Sequence, residues 1–133
     1  MRRQFLFGMV ALLFSAPFVF SAPPGANDAK VEWDANYPKK ENGKLKMKGT
    51  VTFAGGWSSS DGMVTITITP TAGGLASATL VTITNGVWEA EVNLTDFPNP
   101  KRDYDIVPNI NAWKGPGTMV YTVNGARKTM ELP

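Results

Sequence analysis

The chain is predicted to be all-β, two packed sheets of seven or eight strands behind an N-terminal export signal. Three observations lead there. Apolar and polar residues alternate with period two in several short runs, which places one flank of each run in a core and the other in water. Asn-Gly, Gly and Pro turn signals separate those runs. After Ser21 no segment carries the apolar spacing of an amphipathic helix.

The export signal spans Met1 to Ser21. Arg2 and Arg3 give a positive start, Phe5 to Phe20 is almost wholly apolar, and Val19-Phe20-Ser21 supplies the exit site of a secretory signal peptide. The stretch is too short and too briefly flanked to be preferred as a membrane anchor. The expected destination is therefore periplasmic or extracellular, with no stable membrane span after processing. Cleavage after Ser21 would leave 112 of the 133 residues, enough for one domain around one core. That remainder carries 11 basic and 11 acidic side chains, whereas the full chain is formally +2. A balanced charge argues against nucleic acid as a partner, because neutralising phosphates takes a surplus of Lys and Arg on one face.

Each element follows in turn. Ala22 to Lys30, with Pro23, Pro24 and Gly25, reads as a flexible lead, and residues 31–133 as the folded domain. Val31 to Tyr37 is a short first strand ended by Pro38, and Asn42-Gly43 is a turn. The clearest strand comes next: Leu45, Met47, Val51 and Phe53 lie on one parity, Lys44, Lys46, Lys48, Thr50 and Thr52 on the other. Val64, Ile66 and Ile68 alternate with Thr65, Thr67 and Thr69. Ala78 to Thr84 is a β-branched run, joined by Asn85-Gly86 to Val87–Leu94, where Trp88, Ala90, Val92 and Leu94 oppose Glu89, Glu91 and Asn93. Alternating runs joined by Asn-Gly predict a hairpin. Tyr104 to Ala112 is another strand, and Pro108 within it points to a sheet edge or a bulge. Thr118–Val123 and Arg127–Leu132 are expected to form a second hairpin across Asn124-Gly125.

Composition narrows the chemistry. The chain has no Cys and no His, so it lacks the usual neutral-pH general base and the usual zinc or copper ligands. No cofactor is expected, and no enzyme. Glu89 and Glu91 would stand about 7 Å apart on one strand face, within the range glycoside hydrolysis uses, yet they alternate with core residues and are read as solvent-facing. Ser58 to Ser60 have no base to activate them. Asp96, Asp103 and Asp105 carry the oxygen donors that calcium takes. Lys101 and Arg102 oppose a cation there, so the acids are read as solvated, with calcium as the alternative. Asn93-Leu94-Thr95 matches a glycosylation sequon that matters only in a eukaryotic secretory route.

Two surface features bear on binding. Lys39, Lys40, Lys44, Lys46 and Lys48 form a basic cluster relieved only by Glu41. Its preferred reading is an edge strand guarded by lysines; attraction to an anionic polymer is the alternative. Trp57, in a loop of small residues, and Trp113, before Gly115-Pro116-Gly117, would offer flat rings for stacking on sugars; otherwise they cover the end of the sandwich.

Asn85-Gly86-Val87-Trp88 resembles the (Asn/Asp)-Gly-x-Trp strand of bacterial immunoglobulin-like domains. Tyr104 resembles the corner tyrosine of immunoglobulin and fibronectin type III sandwiches, and Lys48-Gly49-Thr50-Val51 resembles an x-Gly-Thr-Val opening strand of the same group. The resemblance covers residues 45–113. It implies an immunoglobulin-like sandwich with Trp88 packed between the sheets and the Tyr104 hydroxyl anchoring a loop, and it brings no catalytic residue. The closing Asp-x-Ala-Gly-Asn stretch of that group is missing here. The function expected is a secreted, non-enzymatic module that binds or assembles with an extracellular protein or polysaccharide, using Trp57, Trp113 and the Lys44-Lys46-Lys48 face. A stand-alone carbohydrate-binding module is the alternative. Sandwich edges can also accept a partner's strand.

Overall fold

The computed structural model describes residues 22–133; the signal peptide expected over residues 1–21 lies outside the described residues. Nine strands form: β1 (Ala29–Trp33), β2 (Lys39–Glu41), β3 (Lys44–Phe53), β4 (Ser58–Pro70), β5 (Ser77–Thr82), β6 (Val87–Asn93), β7 (Arg102–Trp113), β8 (Tyr121–Asn124) and β9 (Lys128–Leu132). They make two antiparallel sheets. In the first, β1 and β2 lie end to end along one edge of β3, and β6 lies along the other. In the second the order is β5-β4-β7, with β8 and β9 end to end along the free edge of β7. Counted by place, the strands number seven, within the seven or eight expected of the sandwich; the count rises to nine because the first and last places are each interrupted.

The alternating residues form the core. Leu45, Met47 and Val51 of β3, Val64, Ile66 and Ile68 of β4, Trp88 and Ala90 of β6, and Ile106, Ile110 and Ala112 of β7 are buried between the sheets. Gly49 occupies the β3 position where that parity calls for another apolar side chain. It is paired with Trp33 on one side and Trp88 on the other. A Cβ there would sit 1.9 Å from the Glu32 carbonyl oxygen and 2.6 Å from the Trp88 ring. The missing side chain is thus the slot that admits the fully buried Trp88 indole. Trp33 closes the slot edge-on, with ring centroids 5.2 Å apart and planes at 67°, a favoured aromatic geometry. Among the described residues, Trp88 Nε1 is the one buried side-chain polar atom with no hydrogen-bond partner.

Three turn and edge expectations are corrected. Asn85 and Gly86 do form a tight turn, with φ of 51° and 75° and mutual Thr84–Val87 backbone bonds of 2.9 Å. Beyond that one bridge the strands part, β5 to β4 and β6 to β3, so no hairpin develops. Nor is there a hairpin across Asn124-Gly125. Neither residue has positive φ, and β8 and β9 run in the same direction along β7. Finally, Pro108 sits in the centre of the second sheet, not at its edge. Its absent N–H faces the last strand place, and the chain breaks there between β8 and β9, leaving the Pro108 oxygen to accept from Gly125 N at 2.8 Å. Gly125 is needed for close approach: a Cβ would meet the Val31 oxygen at 2.6 Å and Pro108 at 3.0 Å.

At the chain start, Gly25 to Asp28 closes a turn, Gly25 N donating to Asp28 Oδ2 at 2.8 Å, and β1 begins at Ala29, ahead of residue 31. Among the described residues no helix is long and apolar enough to cross a membrane.

The slot sets a measurable order of costs. Trp88→Ala is expected to lose about 3–5 kcal/mol in urea unfolding. Gly49→Ala should lose about 1–3 kcal/mol or more by overpacking against backbone that has no room to give. Trp88→Phe, which keeps a ring and deletes the unpartnered N–H, should lose least of the three.

Candidate functional site

With the core filled, the surfaces left for recognition are the two outer sheet faces and the grooves at the sandwich margins. The outer faces differ sharply in chemistry.

The face of the first sheet is a charged ladder. Lys44, Lys46 and Lys48 project from β3, which is the central strand, so the edge-guarding role read from the sequence does not apply. Register sets Lys46 opposite Glu91 and Lys48 opposite Glu89 on β6, and Lys44 opposite Glu41 on β2. Opposite charges facing one another across strands stabilise a sheet. Lys46 Nζ lies 3.1 Å from Glu41 Oε1 and 3.8 Å from Glu91 Oε2, and Lys39 Nζ lies 3.7 Å from Glu41 Oε2. Lys44 Nζ donates to Asn93 Oδ1 at 3.2 Å. The basic cluster and the carboxylate pair that the sequence shows separately are therefore one neutralising array. Glu89 and Glu91 stand exposed on that open face. Lys40 turns away and donates to the backbone oxygens of Glu131 (3.0 Å) and Pro133 (3.4 Å), tying β2 to the chain end.

The face of the second sheet is polar, uncharged over β5 and most of β4, and acidic toward β9, where Asp103 lies beside Glu131 and Asp105 beside Thr129. Residues 62–88, which include most of β4 and all of β5, contain no Asp, Glu, Lys or Arg. Thr65, Thr67 and Thr69 of β4 lie outward beside Asn109, Val107 and Asp105 of β7, and Asn109 and Asn111 lie beside Asn124 and Thr122 of β8. Rows on such a face repeat about every 7 Å along a strand, with strands about 4.8 Å apart, giving a regular grid of hydroxyl and amide groups. Asp105 Oδ1 accepts from the Thr129 hydroxyl at 2.6 Å.

One end of this grid is built by a bulge. From Ser59 to Val64, β4 advances five residues while β7 moves two, from Ala112 to Ile110. Gly62, at φ of 71°, permits the excursion. The surplus brings Asp61 over the sheet, where its carboxylate accepts from Asn111 Nδ2 (3.1 Å), Ser59 Oγ (3.2 Å) and Met63 N (3.1 Å), while Asn111 Oδ1 accepts from Thr122 Oγ1 at 3.3 Å. Bulges commonly re-aim side chains beside binding sites. Trp113, paired with Ser58 and partly exposed, follows Asn111 on the same strand parity.

The tryptophans fall into different environments. Trp57 is only 6 % exposed. Tyr121 packs edge-on at 5.9 Å and Lys114 Nζ lies 5.4 Å from its ring centre, so the loop ring expected for sugar stacking is enclosed within the sandwich end. The structure does not bring Trp57 and Trp113 together as one platform. Trp33, half-buried, donates from Nε1 to the Ala126 oxygen at 2.8 Å.

Asp96, Asp103 and Asp105 do not converge. Among the described residues no three carboxylates are placed to hold a metal ion. Asp96 instead borders a cleft of about 410 Å³ with Leu75, Phe97, Arg102 and Tyr104. Tyr104 is buried, but its hydroxyl accepts from Arg102 Nε at 3.2 Å, and the loop is held by Phe97, whose ring meets Tyr104 edge-on at 5.2 Å. A second groove of about 550 Å³ runs between β1 and the β8–β9 break, bordered by Lys30, Glu32, Trp33, Asn124, Ala126 and Lys128. Comparison with protein-family models, curated proteins and solved structures finds no match to this chain.

The sequence reading missed Asp61 and the Asn109–Asn111 pair as surface organisers. The signals were present: an Asp-Gly turn inside an apolar–polar alternation, and polar residues at the alternate positions 103, 105, 109 and 111 of β7.

Electrostatics of the ladder can be checked directly. The Lys46 hydrogen bond, then the Lys39 charge, holds the Glu41 carboxyl below the usual glutamate range, and the bond to Glu41 raises Lys46 above the ordinary lysine value. A lowered acid stabilises the fold above its unfolded pKa and loses that contribution as pH falls through its folded value. A raised lysine loses its contribution only as pH rises through its own. Both groups are exposed, so the effect is small and screened by salt. In a carbon-detected NMR titration, Glu41 is expected to protonate below the ordinary glutamate range, and Lys46→Met should move its midpoint up toward that range.

Proposed function

We propose that this chain is an exported, non-enzymatic immunoglobulin-like module of the fibronectin type III arrangement, which binds an extracellular or periplasmic component through the outer face of its second sheet. The strand places support the architecture: β1/β2, β3 and β6 face β5, β4, β7 and β8/β9, with Trp88 packed between the sheets and Tyr104 following the cross-over loop. Residues 1–21 support export.

The observation that carries the binding surface is the uncharged Thr–Asn grid beside the Asp61–Asn111–Thr122 network. Its donors and acceptors stand on strands backed by a packed core, so little ordering is lost when a partner meets them. The charged ladder is a weaker candidate because Lys46, at its centre, is already paired with Glu41 and Glu91, and register sets Lys48 opposite Glu89. Neutral, hydroxyl-rich ligands suit the grid. A carbohydrate partner is accordingly the second reading, favoured by the partly exposed Trp113 ring at the bulged end.

Depletion assays against chitin, cellulose and isolated peptidoglycan, with a microarray of soluble glycans, test this reading. Retention of the wild-type protein is expected to fall about tenfold or more, ~1.4 kcal/mol, in Trp113→Ala and in Asn109→Lys, and to be unchanged in Lys46→Gln. Retention lost in Lys46→Gln but kept in both grid variants would move the site to the other sheet.

A further inference from the structure

We infer that β5 is a self-association edge, through which two copies of this chain join their second sheets into one continuous antiparallel sheet with Leu80 on the two-fold axis. The inference starts from the backbone. Ile83 N donates to Gly62 O at 2.8 Å, which fixes the alternation: odd-numbered residues of β5 bond inward to β4, and Ala78, Leu80 and Thr82 direct N–H and C=O away from the sheet. All three are exposed, Leu80 at 56 %. An unpaired strand edge is a template for another strand unless charge, Pro, brevity or a covering element blunts it. None of these applies to β5, whose sequence Ser-Ala-Thr-Leu-Val-Thr is six residues long and uncharged.

Each of the other edge strands is blunted in at least one of these ways. β6 carries Glu89 and Glu91, and antiparallel pairing with a copy of itself would bring carboxylates together. β1 carries Lys30 and Glu32 and faces the β8–β9 break. β9 carries Lys128 and Glu131 and is capped by Lys40 on its last carbonyls. β8 has four residues before the chain leaves the ladder.

Self-pairing also selects one register. Centred on Leu80, the partners are Ala78 with Thr82, Leu80 with Leu80, and Thr82 with Ala78, each exchanging two N–H···O bonds as hydrogen-bonded antiparallel pairs do. A centre at Thr79 leaves Thr82 beyond the partner's strand. A centre at Val81 sets Ala78 opposite Thr84, whose N–H is already given to Val87. Only the Leu80 centre satisfies every outward group of the strand, and it places the two exposed leucines side by side. A second copy is therefore the occupant this edge fits. The seam lies below the roughly 1,200 Å² of stable complexes, so association is weak and concentration-dependent.

Sedimentation equilibrium of the purified protein from about 10 µM to about 1 mM covers the affinity expected of so small a seam. The average mass is expected to climb from one chain toward two across that range. Leu80→Lys, which sets like charges on the axis, should remain monomeric throughout while its circular dichroism and urea midpoint match the wild type. The chain has no cysteine, so Leu80→Cys gives an independent readout: Cα atoms about 5.5 Å apart across the axis lie within disulfide reach, and mild oxidation should yield a crosslinked dimer. Thr52→Cys, exposed on the other sheet, should yield none. A single-chain mass at every concentration overturns the inference. So does a dimer that Leu80→Lys leaves intact, or one that Leu80→Cys fails to crosslink.

Discussion

The burial of one indole in a slot made by one glycine is the constraint on which the sandwich depends. Trp88 reaches the space between the sheets only because Gly49, its cross-strand partner, has no side chain. Trp33 covers the slot from the opposite flank of the same glycine, and its Nε1 reaches across to the Ala126 oxygen. That bond lands in the gap between β8 and β9. The gap exists because Pro108 offers no N–H to the last strand place, and Gly125 fills it closely enough to touch the Val31 oxygen. First strand, central glycine, buried indole and broken last strand are thus one connected contact. An unpartnered indole N–H at its heart costs on the order of 1–3 kcal/mol, offset by the large apolar area that Trp88 removes from water.

A core closed in this way leaves the two outer faces free to differ. The first sheet spends its outward positions on a ladder in which each lysine of β3 faces an acid, so the field it presents to a partner is largely cancelled. The second sheet carries hydroxyls and amides with few charges, and its bulge anchors Asp61 over Asn111. The same absence of charge that suits the grid for a neutral ligand leaves β5 unguarded. Joining two copies at Leu80 would extend the grid across the axis, and a polymeric ligand would then be met at two linked surfaces.

What was legible in the sequence is what depends on neighbours along the chain. Leu45, Met47 and Val51, or Val64, Ile66 and Ile68, declare a buried face by parity alone. Asn85-Gly86 declares a left-handed turn because both residues must adopt positive φ. What was not legible is which strand lies beside which. The turn at Asn85-Gly86 suggested a hairpin, but the flanking strands bury their apolar faces in different sheets. Asn124-Gly125 carries the same dipeptide for another reason, close approach to Val31 and Pro108. Lys46 looked like part of a basic patch because Glu91, the cross-strand acid that joins Glu41 in neutralising it, is 45 positions away in sequence. Trp57 sits among small loop residues, and only the fold reveals that Tyr121 and Lys114 enclose it. The candidate site was half visible: Trp113 and the threonines of β4 could be seen, whereas the network that Asp61 organises required the register shift between β4 and β7.

The most direct measurement of the central contact is hydrogen exchange at the indole N–H of Trp88, followed by ¹⁵N-resolved NMR. This group has no hydrogen-bond partner, so slow exchange would come from burial in the slot and not from bonding. The account expects its exchange to proceed only through global unfolding, with protection equal to that of the β3 and β6 core amides. Exchange much faster than those amides, at the rate of a surface indole, would contradict it.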